Sequence, residues 1–292
     1  MRSAFVLSIV ILFFISCGNN NSRQKVDEKK VVTVSILPLK TFVEQIGGDD
    51  FEINVLLPPG ASPANFSLVP SQLKDIARSQ IWFRVGHIGF ELSWRDKILQ
   101  VNEEMKEVDL SEGLDLIHAE SVTGEQGNSG GINPHTWLSS SLVIEMAEEI
   151  TLELSQLNPE RKSFYNDNLK AFVEEIGQLD AEINEALKDY EGRQFISFHP
   201  SLSYFAREYG LIQHSLEPGG KEPTPQRMAK LIDLARKENI DVIYIQSDFD
   251  LEQARVFAEE IDGQIEQMWP LNPDWFNNLR GITKQLITHF ED

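Results

Sequence analysis

The sequence predicts an α/β fold of two lobes, each with a mostly parallel sheet flanked by helices, joined by one long backbone helix. Three observations predict it. Short apolar strand candidates alternate with helical segments in both halves, the pattern of a parallel sheet with helices on its faces. Between the halves, Phe172, Ile176, Leu179, Ile183 and Leu187 recur at spacings of four, three, four and four, one apolar stripe. The chain has 292 residues, 41% of them hydrophobic, enough for two domains of ordinary size and a sizeable core.

Residues 1–17 place Arg2 before an apolar run from Ala4 to Ile15, broken only by Ser8. That run is too short to span a bilayer and has the length of a signal-peptide core. Phe14-Ile15-Ser16-Cys17 resembles a bacterial lipoprotein box, with Phe14 where Leu is usual, which implies cleavage before Cys17 and lipidation of Cys17. Residues 18–30 are polar and turn-rich and read as a flexible tether. The first lobe is expected over 31–158, the linking helix over 159–191 and the second lobe over 192–292.

In the first lobe, Val31 to Leu37 reads as a strand ending at Pro38, and Leu39 to Ile46 as a helix stopped by Gly47-Gly48. Phe51 to Leu57 alternates as a strand before the turn Pro58-Pro59-Gly60. A helix from Ser71 to Arg78 leads to the strand Ile81 to Val85. Residues 119–134 have no apolar period and read as a mobile surface loop. Asn158-Pro159-Glu160 starts the linking helix, with Pro at its first position.

In the second lobe, Phe195 to Phe198, Asp241 to Ile245 and Gln264 to Met268 read as strands. Leu202 to Tyr209, Met228 to Glu238, Leu251 to Ile261 and a segment from about Pro273 to Phe290 read as helices. No repeat period of 20–50 residues is present.

Composition narrows the function. Lys and Arg total 26 against 46 Asp and Glu, a formal charge of −20, so nucleic acid and anionic membrane surfaces are poor partners. The membrane is met only through the lipid anchor, and a monomer is expected. An acidic field suits a protein that meets cations. One cysteine excludes a disulfide framework and a Cys-based zinc or iron–sulfur site, so any metal must be held by His, Asp and Glu.

Three of the six histidines stand out. His87 follows the strand ending at Val85 and Gly86, His135 ends the 119–134 loop in Asn133-Pro134-His135, and His199 directly follows the strand Phe195–Phe198. In open α/β sheets ligands bind outside the carboxyl ends of strands. Three neutral imidazoles there would ligate Zn²⁺ and leave a position for water or a carboxylate. His118, His214 and His289 lack that context.

The order of strand, PPGASP loop, Asn-Pro-His, long helix and His-Pro followed by Tyr-Phe-Ala-Arg-Glu-Tyr-Gly resembles the metal-binding solute-binding proteins of bacterial zinc and manganese ABC importers. The resemblance covers about residues 31–292, most specifically Asn133 to Leu138 and His199 to Phe205. It implies two lobes joined by a backbone helix, little hinging, a divalent metal in the interlobe cleft, delivery to an ABC permease, and lipid-anchored residence at the periplasmic or outer face of the cell envelope. The family's second and third ligands match His135 and His199. Its first ligand, a His, is replaced by Ala64, and its fourth, an Asp, by Trp269.

Two interpretations follow. In the first, His87 replaces the missing imidazole, so His87, His135 and His199 hold Zn²⁺ in preference to Mn²⁺, which favours carboxylate oxygen. Glu217, Asp248 and Glu125 are then candidates for a fourth ligand, while Glu91 anchors its own loop. In the second, the altered cleft takes Mn²⁺, a chelated metal or another small ligand, with Trp82, Trp94, Trp137, Trp269 and Trp275 as possible lining. An enzyme is not expected: there is no His-Glu-x-x-His pair, Gly-x-Ser-x-Gly elbow or phosphate loop.

Overall fold

The computed structural model describes residues 29–64, 66–118, 131–217, 223–246 and 251–291. The signal segment with Cys17, and the ligand candidates Glu125 and Asp248, lie outside the described residues. The first lobe runs β1 (Lys30–Val34), α1 (Leu37–Gly47), β2 (Phe51–Val55), α2 (Pro70–Ile76), β3 (Ser79–Arg84), α3 (Gly89–Val101) and β4 (Lys106–Asp109). Its strands form one parallel sheet in the order β2-β1-β3-β4.

Helix α4 (Ser140–Leu157) then passes through a 3₁₀ turn at Pro159–Arg161 into α5 (Lys162–Leu187), which ends in a second turn at Lys188–Tyr190. The second lobe comprises β5 (Gln194–Ser197), α6 (Ser203–Glu208), β6 (Ile212–Ser215), α7 (Pro225–Glu238), β7 (Val242–Gln246), α8 (Leu251–Glu260), β8 (Gln264–Met268) and α9 (Trp275–Glu291). Its parallel sheet has the order β6-β5-β7-β8. Both sheets therefore present their carboxyl ends as places for a ligand.

The apolar stripe of α5 is buried as its spacing requires, with all five side chains at 2% exposure or less. The helix packs on α1 and α4 and also on α9. Phe172 shows how: its ring lies 5.8 Å from Phe42 of α1 and 5.9 Å from Phe276 of α9. One core cluster consequently runs through elements of both lobes, and a smaller one lies in the second lobe around Ile196, Ile243 and Phe257. At about 1.5–3 kcal/mol per fully buried large apolar side chain, such a shared core ties the lobes into one body.

Helix α1 stops where the glycines stop it. Gly48 adopts φ 55° and its N–H bonds the Glu44 carbonyl, while a Cβ on Gly47 would meet the Phe51 ring at 2.8 Å. At its other end the sequence expectation shifts. The first strand closes at Val34 rather than Leu37, and Pro38 lies in the first turn of α1, where a missing N–H costs nothing. The strands β4 and β6 went unassigned in the sequence because KEVD and IQHS carry little apolar signal; both lie at sheet edges, where polar faces are tolerated.

Candidate metal centre

His135 and His199 meet. Their ring centroids are 5.0 Å apart at an interplanar angle of 72°. His135 is the residue before a 3₁₀ turn at Thr136–Leu138 that leads into α4, and His199 leaves the carboxyl end of β5. The segments are stitched together by Asn133, whose amide donates to the Pro200 carbonyl at 2.8 Å and to Ser203 Oγ at 3.1 Å. The Asn133 carbonyl in turn accepts from the Tyr204 hydroxyl at 2.7 Å.

Each imidazole is oriented by a specific acceptor. Nδ1 of His135 donates to Asn133 Oδ1 at 2.7 Å, and Nδ1 of His199 donates to Glu217 Oε2 at 2.9 Å. An oxygen that can only accept fixes the proton on Nδ1, so Nε2 is the nitrogen through which each ring would bind a metal. His135 is 6% exposed, and burial, followed by the neighbouring His199, holds its pKa well below the ordinary histidine range. It therefore stays neutral at physiological pH, the form that ligates.

The other expectations fare differently. The cluster of His87, His135 and His199 is not assembled: among the described residues no three His, Cys, Asp or Glu side chains converge to hold a metal ion. The loop carrying His87 is pinned instead. Glu91, fully buried, accepts from the N–H groups of Val85 at 2.8 Å and Gly86 at 2.9 Å, the loop-anchoring role expected for it. Phe90 N–H bonds the Pro63 carbonyl at 3.1 Å, and a Cβ on Gly89 would lie 2.4 Å from the Ala64 carbonyl, so this loop is docked on the segment carrying Ala64. Glu217 accepts from His199 Nδ1 and so orients that imidazole. His118 joins Ile132 in an isolated bridge, His214 bonds Gln194 at 2.7 Å, and His289 lies 2.9 Å from Glu266.

The tryptophans separate in the same way. Trp82, Trp137 and Trp275 are fully buried and Trp94 packs partly buried on the core. Trp269 alone among the five is 58% exposed. It borders an interlobe cavity of about 320 Å³ that also takes in Leu57, Pro58 and Pro59 from the loop after β2, and Gln246 at the end of β7. Sequence reasoning missed Gln246 and Asn133; the first carries no motif, whereas the second stands inside the Asn133-Pro134-His135 motif and served only as its marker.

Two parallel α/β lobes with paired imidazoles at their junction define a metal-binding solute-binding protein of an ABC importer rather than an enzyme. Residues 32–288 match the family described as zinc-uptake complex component A, periplasmic, and the chain belongs to that family. The high-affinity zinc uptake system protein ZnuA of Bacillus subtilis (strain 168) is 27% identical, over 96% of this chain and 89% of its own. The manganese ABC transporter substrate-binding lipoprotein PsaA of Streptococcus pneumoniae is 25% identical, over 86% of this chain and 83% of its own. A crystal structure of a ZnuA superposes with a TM-score of 0.83 at 33% identity, covering 90% of this chain and 99% of the other. Among the described residues no helix is long and apolar enough to cross a membrane.

Proposed function

We propose that the protein captures Zn²⁺ in the interlobe cleft, through Nε2 of His135 and His199, and delivers it to an ABC permease from a lipid anchor at Cys17. The observation that carries this reading is the pair itself: two imidazoles 5.0 Å apart, each with Nδ1 on an acceptor. Imidazole suits Zn²⁺, whereas Mn²⁺ favours carboxylate and water oxygens, and the only carboxylate at the pair is occupied by His199 Nδ1 among the described residues. Similarity to zinc-uptake relatives supports the same choice.

The experiment is metal analysis of chelator-stripped protein after reloading with Zn²⁺ and removal of excess. Wild type is expected to keep stoichiometric zinc, and His135→Ala and His199→Ala to lose it. His87→Ala separates the two versions of the site. Retained zinc places His87 outside it; lost zinc makes His87 a third ligand that reaches the pair when metal arrives. Wild-type protein that retains no zinc overturns the proposal.

A further inference from the structure

One cavity lies beside the metal centre without belonging to it. Neither His135 nor His199 lines the interlobe cavity bordered by Trp269. The Trp137 indole separates the two places: its ring lies 5.1 Å from His135, and its N–H donates at 2.7 Å to the carbonyl of Pro270, a cavity residue. The cavity sits at the carboxyl ends of strands from both sheets, after β2 on one side and at the ends of β7 and β8 on the other. At about 320 Å³ it falls in the range of pockets that enclose small organic molecules.

The wall decides what kind of molecule fits. It is mostly apolar, with Leu57, Pro58, Pro59, Met268, Trp269 and Leu271, and among the described residues no charged side chain lines it. Water against such a wall finds few hydrogen-bond partners, so an apolar molecule displaces it at a gain. A carboxylate or an ammonium group would instead lose its hydration with no opposite charge to meet. For an anion the protein's formal charge of −20 adds repulsion.

Two observations give the occupant a shape and a polar atom. The Gln246 side-chain amide nitrogen is buried and has no hydrogen-bond partner, a cost that a ligand oxygen brought to it relieves. Asn272, the other amide of the wall, already accepts from the Asp274 N–H at 2.9 Å through its side-chain oxygen. Trp269 is 58% exposed, although a large aromatic side chain gains most by being covered. A flat ring in the cavity covers it.

The wall is also held in place without a ligand. The Leu57 N–H donates to the Ser35 carbonyl at 3.0 Å, the Ala61 N–H to the Pro58 carbonyl at 3.2 Å, and the Thr41 hydroxyl to the Pro273 carbonyl at 2.7 Å. Proline fixes its own φ, so Pro58, Pro59, Pro270 and Pro273 stiffen both sides. A preformed wall leaves little to order on binding.

From these placements we infer that the cavity is a binding site for a small, uncharged, bicyclic aromatic compound carrying one carbonyl oxygen. The ring system lies against Trp269 and the prolines, and the carbonyl accepts from the Gln246 amide. A cavity of about 150 Å³ already takes benzene, so twice that volume takes two fused rings. The site is separate from the imidazole pair and does not depend on zinc capture.

The test is calorimetry of the chelator-stripped protein with two probes of the same shape, uncharged 2-naphthamide and anionic 2-naphthoate. Naphthamide is expected to bind one to one and at least tenfold tighter than naphthoate. Trp269→Ala, at an exposed position, is expected to weaken naphthamide by about tenfold through lost ring contact. Gln246→Leu, which removes the amide donor, is expected to weaken it by about fivefold, the net worth of one hydrogen bond. Reloading with Zn²⁺ is expected to change naphthamide affinity by less than twofold. No binding of naphthamide, equal affinity for the two probes, or an affinity that survives both substitutions overturns the inference. A tenfold effect of Zn²⁺ overturns the separateness of the two sites. Because the titrations use stripped protein, they stand whether or not the imidazole pair captures zinc.

Discussion

The indole N–H of Trp137 donates to the carbonyl of Pro270 at 2.7 Å, and the Trp275 indole donates to the carbonyl of Trp137 at 2.6 Å. Residues 133 and 138 positions apart in the chain are thereby joined by two buried bonds at the seam of the lobes. Trp137→Phe keeps an aromatic ring against His135 but leaves the Pro270 carbonyl unpaired in a buried place. Chemical unfolding is expected to show a loss of about 1–3 kcal/mol. A variant as stable as wild type would mean that water satisfies this carbonyl and that the seam does not depend on the bond.

Glu217 offers a test of orientation as distinct from ligation. Its carboxylate accepts the Nδ1 proton of His199, and its side chain is 12% exposed. Glu217→Gln retains an acceptor oxygen and the shape of the side chain but removes the charge that would raise the basicity of the His199 imidazole. Removing such outer partners weakens metal binding by about 10–100-fold in comparable sites. The expected result is therefore Zn²⁺ affinity reduced by about tenfold with unchanged stoichiometry. Loss of stoichiometric binding would identify Glu217 as a direct ligand.

Much of this architecture was legible because it rests on local signals. The five-residue stripe of α5, the Gly47-Gly48 stop and the strand beginning at Gln264 are each written in spacing or residue type, and each is found. The edge strands β4 and β6 were not legible, since their polar sequences become strands only beside β3 and β5. The pair His135 and His199 could be picked out by position, one in Asn-Pro-His and the other at a strand end. What spacing could not convey is where His87 goes. That depends on Glu91 folding back to bond Val85 and Gly86, a contact set by the tertiary arrangement. Trp269 and Gln246 come together through two different strand ends, so no linear motif announces the cavity they share.

Acid stability should report the junction between α5 and the turn before β2. Asp50 accepts from Arg161 Nε at 2.7 Å and from the Tyr165 hydroxyl at 2.8 Å. Burial pushes the Asp50 pKa up, but those hydrogen bonds and the Arg161 charge outweigh it and leave the carboxyl below its ordinary value of 3.8. Burial and the bond to Asp50 together push Tyr165 up to about 12. A carboxyl depressed in the folded state contributes stability that is complete above the unfolded pKa and is lost as pH falls through the folded one. The stability gap between wild type and Asp50→Asn should therefore be widest near neutral pH and shrink below about pH 4. Urea unfolding of both proteins across that range checks it; a gap independent of pH would remove the assigned role of the Asp50 charge.

The end of β3 makes the strictest demand on sequence. Gly86 adopts φ 121°, and a Cβ there would lie 2.3 Å from Ser111 Oγ and 2.6 Å from Asp109 Oδ1. Those two atoms are themselves hydrogen-bonded at 2.6 Å, and Asp109 pairs with Arg84 at 2.6 Å, so neither can withdraw without breaking a partner bond. Gly86→Ala therefore combines an unfavourable backbone conformation with a steric collision. Glu91→Gln at the same turn replaces one oxygen that accepts a backbone N–H by an NH₂ group that cannot. The glutamine is expected to cost about 1–3 kcal/mol, the penalty of leaving a buried backbone N–H without an acceptor. The alanine is expected to cost at least as much, since strain of about 1–3 kcal/mol adds to the clash. Both variants should loosen the loop that carries His87, seen as faster amide exchange over residues 86–91. If Gly86→Ala unfolds at the wild-type denaturant concentration with unchanged exchange, the turn is not the fixed point of the loop that carries His87.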